Sequence, residues 1–247
     1  MNPRPNVLIL TPAFNEWDNL LELCPRVTEQ LSHLDAQSRW LIVSEYSITN
    51  RDAYDYLQSF VNIEVSPRSA GDESFASALQ TGINKIAKHD FVVIMDGDQS
   101  HQPEQIVKLI SILVEHSHID IAISSRYVDG GYSDNSLILK LMSKVLNFVF
   151  RIFLGMDAKD ISTNFKAFRS DLLRDVELVS KNFEAVEELL IHASIRLGRS
   201  PSIVEIPDHF TTRKHGESKR KLGQFIGSYL LSLFILKRKI RNQLKKK

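Results

Sequence analysis

At 247 residues, with 43% hydrophobic and 25% charged residues, the chain has the composition of an ordinary globular protein and room for one large α/β domain. A single cysteine, Cys24, rules out an internal disulfide framework and fits a reducing compartment, and no run reaches the roughly 18 apolar residues that would span a bilayer. The net charge of +1 hides an asymmetry: seven Lys or Arg crowd into 237–247, which leaves 24 basic against 30 acidic groups, a net of −6, in the first 236 residues.

Met1-Asn-Pro-Arg-Pro5 lacks the apolar core of a signal peptide, so a cytoplasmic protein is expected. Val7–Leu10 reads as a short buried strand, followed by the loop Thr11-Pro-Ala-Phe-Asn-Glu16. Leu20, Leu23, Val27, Leu31 and Leu34 recur at helical spacing, and Pro25 is expected to kink or divide that helix. Cys24 lies in the same pattern as core filler. Trp40–Val43 is a second strand, ending in Ser44-Glu-Tyr-Ser47, and Ile63–Val65 a weak third. A helix is expected over Ser74–Lys88.

Phe91-Val-Val-Ile-Met95 is apolar without alternation, the mark of a strand buried on both faces of a parallel sheet. It delivers Asp96-Gly-Asp98 at its carboxyl end, where open α/β sheets bind ligands. Two carboxylates one residue apart repel each other, which a divalent cation between them relieves. A solvated acidic turn would have the same sequence, so both readings stand at this point. Gly97 permits close approach to the backbone. Pro103 suits the first turn of a helix whose stripe is Ile106, Leu109, Ile110, Leu113 and Val114. Ile119–Ser125 is the next strand, ending at Arg126-Tyr127. Strand and helix alternate up to here, which predicts a Rossmann-like, mostly parallel sheet with helices on both faces.

The second half differs. Leu137–Leu154 is helical and too apolar for a simple surface helix, so it is expected to pack centrally or to touch lipid. Asp160–Arg169 is a polar loop entering a strand-like piece, Asn182–Leu197 a helix that carries Glu187 and Glu188 early, and Ile203–Ile206 a last strand. Acids there also simply suit the helix dipole. Arg213-Lys-His-Gly-Glu-Ser-Lys219 is a basic loop. Phe225–Leu236 is too short to span a membrane, and with the basic tail it suits an interfacial helix on anionic lipid or a core helix with a solvated tail. His101 and His215 read as polar loop residues, and no second His or Cys stands at zinc-ligand spacing.

Four motifs in order carry a family resemblance: Pro12-Ala-Phe-Asn-Glu16, Met95-Asp-Gly-Asp98 with Ser100-His-Gln-Pro-Glu104, Ser125-Arg-Tyr127, and Arg213-Lys-His-Gly-Glu-Ser-Lys219. Together they resemble the family 2 glycosyltransferases, and more closely the polyprenyl-phosphate sugar synthases typified by dolichol-phosphate mannose synthase, over roughly residues 6 to 222. The resemblance implies a GT-A type fold with C-terminal interfacial helices, divided as a glycosyltransferase domain over 1–222 and a membrane-associating amphipathic helix and tail over 223–247. It implies metal-dependent, inverting transfer of a hexose from a GDP- or UDP-linked sugar to a polyprenyl phosphate, at a membrane surface and without nucleic acid.

Position by position, Pro12, Phe14 and Glu16 would line the base and ribose, Phe14 standing where tyrosine is usual. Asp96 and Asp98 would hold Mg2+ or Mn2+ on the diphosphate, with Gly97 close by and Ser100 where relatives place a further polar residue. Arg126, Arg213 and Lys219 would face phosphates, the 213–219 loop closing over them, and Glu188 would lie beneath the acceptor. The departure is Ser44-Glu-Tyr-Ser47, where relatives have Asp-Asp-Gly-Ser; Glu45 would have to replace an aspartate that recognises the base or ribose. Two rivals remain open: transfer to a sugar or protein hydroxyl, which would make Glu188 an indispensable base, and a catalytically silent nucleotide-sugar-binding module.

Overall fold

The structure, a computed structural model, describes residues 4–45, 50–68, 74–86, 89–211 and 238. Its framework is a seven-stranded sheet in the order β3-β2-β1-β4-β7-β5-β8, comprising β1 (Asn6–Pro12), β2 (Gln37–Ser44), β3 (Ile63–Pro67), β4 (Phe91–Ile94), β5 (Ile121–Ser125), β7 (Lys166–Arg169) and β8 (Ile203–Pro207). All pairings are parallel except those of β7, which runs antiparallel between β4 and β5. The short pair β6 (Tyr132–Ser133) and β9 (His209–Phe210) stands apart.

The unbroken apolar runs follow from burial on both faces. In β1, Val7 and Ile9 turn to one face while Leu8 and Leu10 turn to the other. The first face packs against α1 (Trp17–His33), α2 (Arg51–Gln58) and α4 (Gln105–Glu115); the second packs against α3 (Phe75–Ile83), α5 (Leu137–Leu154) and α6 (Ala185–Leu197). On that second face Gly82 lies so close to β1 that a Cβ would stand 2.1 Å from Leu10 Cδ1. Ser74 caps α3, accepting from Ser77 N at 3.2 Å.

Three expectations need correction. Pro25 does not divide α1, which runs continuously from Trp17 to His33. Leu20, Leu23, Cys24, Val27 and Leu31 are all buried under it. At about 1.5–3 kcal/mol for a large apolar side chain, that face outweighs the ~3 kcal/mol cost of an internal proline. The helix over 74–88 is shorter, ending at Ile83. And α5 does not pack centrally: only Asn147, Phe150 and Leu154 are buried, while Leu137, Ile138, Leu141, Val145, Phe148 and Ile152 are each half or more exposed. The helix α2, with a single buried residue, Leu57, had no apolar stripe to announce it.

Strand order reverses at β1, whose partners are β2 on one side and β4 on the other. In such sheets the crevice beyond the carboxyl ends of the strands at the reversal is the ligand site. Because β7 is antiparallel, its first residue, Lys166, pairs with Ile94 and Ile123, so the loop 160–165 opens onto this same edge.

Candidate active site

The carboxyl edge of the sheet gathers the loops after β1, β2, β4, β5 and β8. Asp96 and Asp98 stand two and four residues beyond the end of β4; Met95 N still bonds to Leu10 O at 3.0 Å. A Cβ at Gly97 would stand 3.1 Å from Thr11 Cγ2 and 3.2 Å from Leu20 Cδ2, so glycine lets the turn sit close against β1 and α1 without displacing these side chains. The helix side is pinned as well: Arg26 of α1 grips Glu104 through Nε at 3.0 Å and a terminal nitrogen at 2.8 Å.

Each aspartate is held by its own donors. Asp96 accepts from Asn164 Nδ2 at 2.7 Å on Oδ1, and His101 Nε2 lies 3.3 Å from Oδ2. Asp98 accepts from Ser100 N at 3.1 Å and Ser100 Oγ at 2.5 Å, so Ser100 fixes the second carboxylate. Two carboxylates on a fixed turn are the hard-oxygen set that suits Mg2+ or Mn2+ with substrate phosphates completing the shell. No cluster of three or more His, Cys, Asp or Glu with metal-binding geometry occurs among the described residues. A metal completed by substrate fits this set.

His101, expected as a polar loop residue, is 2% exposed. Burial alone would lower its pKa, but the facing carboxylates of Asp208 and Asp96 override this and raise it to about 9. Its ring lies against Phe165 and Phe210, at 5.0 and 5.4 Å between centroids.

On the donor side, Glu45 does not reach outward. Its Oε1 accepts from Asn15 N and Trp17 Nε1, both at 2.9 Å, and Oε2 accepts from Ser44 Oγ at 2.9 Å. It thereby holds Asn15 in a left-handed conformation (φ 55°) and shapes the loop that follows Pro12. Phe14 carries the Arg68 guanidinium 5.1 Å over its ring, and Arg68 Nε donates to Ala13 O at 3.0 Å. Asn19 Nδ2 donates to Glu16 at the start of α1.

Arg126 is buried at the end of β5. It pairs with Asp160 through Nε and a terminal nitrogen, both at 2.7 Å, and also reaches Ser162 Oγ at 3.1 Å. Burial would disfavour both charges. Each nevertheless holds the other ionised: Asp160 stays below the usual carboxylate range beside Arg126, whose own pKa is raised. Phe210 bridges this pair to His101, its ring lying 5.2 Å from the guanidinium carbon.

The profile of Glycosyl transferase family 2 matches residues 8–177. The chain belongs to this family. It is 35% identical over 235 residues to a dolichol-phosphate mannosyltransferase of Pyrococcus furiosus, covering 93% of this chain and 63% of that protein. It thus spans less than two thirds of that relative's length. A polyprenol monophosphomannose synthase of Mycolicibacterium smegmatis is 29% identical (89% and 82% covered), as is an undecaprenyl-phosphate mannosyltransferase of Micrococcus luteus (92% of each). Glucosyl-3-phosphoglycerate synthase of Mycobacterium tuberculosis, solved with Mn2+, UDP and glucosyl-3-phosphoglycerate, superposes with a TM-score of 0.64 at 16% identity, over 97% of this chain and 78% of that one. The same fold, of the GT-A type, underlies both.

On the same side of the sheet as α3 and α5, α6 presents two buried acids with different surroundings. Glu188 accepts from Val179 N at 2.7 Å and Ser180 N at 2.9 Å, with His192 Nε2 at 3.5 Å. Burial would raise its pKa; these donors, His192 foremost, hold it below the usual range. Glu187 instead lies in the field of the buried Lys166, whose pKa burial pulls down to about 8 against the attraction of Glu187, Asp160 and Asp96. Arg213, Lys219 and His215 lie outside the described residues, as does the boundary at 222/223.

The sequence did not single out Asp160, Asn164, Lys166 or Asp208, and Glu187 stood out only as an acid suited to the helix dipole. Asp160 and Asn164 stood in a stretch noted only as polar, and Asp208 directly follows the proline that ends β8. Nothing in one-dimensional spacing brings them to Asp96.

Proposed function

We propose that this glycosyltransferase moves a hexose from a GDP- or UDP-sugar to a polyprenyl phosphate, in a reaction that depends on a divalent cation and inverts the anomeric centre. The observation that carries the acceptor class is the outer face of α5. Its six exposed apolar side chains fall within an arc of about 100° at 100° per residue, and the helix contains no acid. Lys140, Lys144 and Arg151 run along one border of that arc. On that side a groove of about 210 Å³ opens between Tyr127, Lys144, Asn147, Phe148, Arg151 and Lys159. An apolar stripe bordered by cations suits a lipid surface, and a cationic groove beside it suits the phosphate of a lipid-linked acceptor. Tyr127 joins this groove to Arg126, and Phe210 joins Arg126 to His101 and Asp96. The relatives named for dolichol-phosphate, polyprenol and undecaprenyl-phosphate mannose transfer support the same acceptor class. No described helix is long and apolar enough to cross a membrane; attachment by α5, together with the segment 223–247, is peripheral, on the cytoplasmic side.

Asp96 and Asp98 would hold Mg2+ or Mn2+, which when bound offsets the charge gathering on the departing diphosphate. Pro12, Phe14 and Glu16 belong to the donor loop that Glu45 braces and would line the base and ribose. Arg213 and Lys219 act on the diphosphate by their motif. Arg126, already neutralised by Asp160, orients Tyr127 and the loop 160–164 toward the acceptor. A phosphate acceptor is a nucleophile without deprotonation, so positioning against the anomeric carbon suffices. Glu188, with both oxygens taken by backbone amides, suits a supporting part better than that of a base. This favours a phosphate over the hydroxyl acceptor. The test is incubation with a panel of GDP- and UDP-sugars, Mn2+ and short polyprenyl phosphates. Lipid-linked hexose is expected; transfer only to sugar or protein hydroxyls, or donor binding without any transfer, would replace this reading.

A further inference from the structure

The most unusual polar arrangement lies behind the aspartate turn. Asp208 is 2% exposed, and among the described residues neither of its carboxylate oxygens has a hydrogen-bond donor within 3.5 Å, nor does His101 Nδ1 have a partner inside that limit. The two face each other, Nδ1 to Oδ2, at 3.6 Å. Buried polar atoms left so are rare and ask for a reason. On the other edge of the imidazole, Nε2 faces Asp96 Oδ2.

We propose that Asp208 and His101 are positioning residues of the metal site: Asp208 orients the His101 ring, and His101 fixes the carboxylate of Asp96 for the cation. This rests on the reading of Asp96 and Asp98 as a divalent-cation site. Each ring nitrogen faces one carboxylate, Nε2 that of Asp96 and Nδ1 that of Asp208, which leaves the imidazole one orientation. Phe165 and Phe210 wall the ring and prevent it from swinging away. With Asn164 on Oδ1 and His101 on Oδ2, Asp96 is fixed in plane from two sides.

Asp208 is itself anchored by the backbone. Asp208 N donates to Ser125 O at 2.9 Å, and its carbonyl accepts from Tyr132 N at 2.8 Å. The segment it begins is stitched to the aspartate turn: Thr211 N donates to Ser100 O, Thr211 Oγ1 to Gln99 O and Gln102 Nε2 to His209 O, each at 3.0 Å. The end of β8 is thereby tied to the metal loop after β4, across two intervening strands. Outer-shell partners of this kind govern metal affinity by about 10- to 100-fold.

The test is Mn2+ binding to the full chain, followed by the EPR signal of free Mn2+, alone and with GDP or UDP, beside thermal unfolding of each variant. His101→Phe keeps the ring stack and should weaken Mn2+ about 10- to 100-fold. Asp208→Asn should weaken it less, and His101→Gln, which keeps one donor, least. The double variant of His101→Phe with Asp208→Asn should be no worse than His101→Phe alone, because Asp208 acts through His101. Affinities within threefold of wild type in His101→Phe and Asp208→Asn, while Asp98→Asn abolishes binding, would overturn this proposal and leave the metal site standing. Losses that add in the double variant would overturn the relay. If His101→Phe does not fold, Asp208→Asn decides alone by the same threefold criterion. Absence of Mn2+ binding by the wild type with either nucleotide would remove the metal site and this proposal with it.

Discussion

Arg126 and Asp160 form a two-pronged ion pair with both contacts at 2.7 Å, the aspartate fully buried and the arginine nearly so. The Asp160 carboxylate also accepts from Arg126 N at 2.9 Å and from Asn147 Nδ2 at 3.3 Å. One side chain thus joins the end of β5, the loop before β7 and the inner face of α5. Asp160→Asn should cost about 3–5 kcal/mol, the usual penalty for leaving the other charge buried and unpaired. Urea unfolding of wild type and variant checks it; a loss under 1 kcal/mol would mean the pair is solvated.

The same pair predicts the direction of acid sensitivity. Asp160 has its folded pKa held below its ordinary 3.8. Its contribution to stability is therefore complete above that value and is lost as pH falls through the lower, folded one. Thermal unfolding followed from pH 6 down to pH 2 should show a loss in wild type that is smaller in Asp160→Asn.

Glu45 braces the donor loop, so its substitutions should sort by hydrogen bonding. Glu45→Gln keeps an acceptor for Asn15 N and Trp17 Nε1 and should leave the GDP-to-UDP preference unchanged. Glu45→Ala strands both donors, at about 1–3 kcal/mol each where buried, and should raise the donor KM for either nucleotide alike. A switch in nucleotide preference in either variant would instead make Glu45 a reader of the base.

Asp98→Asn should lower transfer roughly a hundredfold or more, the size of a lost metal-ligand charge acting on the leaving group. Steady-state rates at saturating Mn2+ test this, and activity within threefold of wild type would sink the metal assignment.

The α5 face predicts a membrane phenotype separable from folding. Phe148→Asp with Ile152→Asp changes two exposed positions and should leave the melting temperature within a few degrees. Co-sedimentation with phosphatidylglycerol vesicles should fall severalfold. Unchanged sedimentation would assign attachment elsewhere in the chain.

The sequence by itself determined the strands. Val7–Leu10, Trp40–Val43 and Phe91–Met95 are apolar without a break because the sheet buries both of their faces, and that pattern needs no neighbour to be read. It also determined the motif loops at their ends, since a turn that must follow a buried strand and present carboxylates leaves a local signature in Asp96-Gly-Asp98. What the tertiary structure decided was every relationship made across the sheet. Pro25 sits in an unbroken helix because the buried face beneath it outweighs one missing hydrogen bond. Lys166 begins a strand that enters between β4 and β5 in the opposite direction, which brings Asp160 and Asn164 to Arg126 and Asp96 from positions 34 and 68 residues away. Glu45 turns inward to Asn15 and Trp17, although its place in the chain suggested an outward reader of the nucleotide. The physical reason is the same in each case. Periodicity reports which face of an element is buried, whereas the partner of a buried charge is chosen by strand order, and strand order has no local signature.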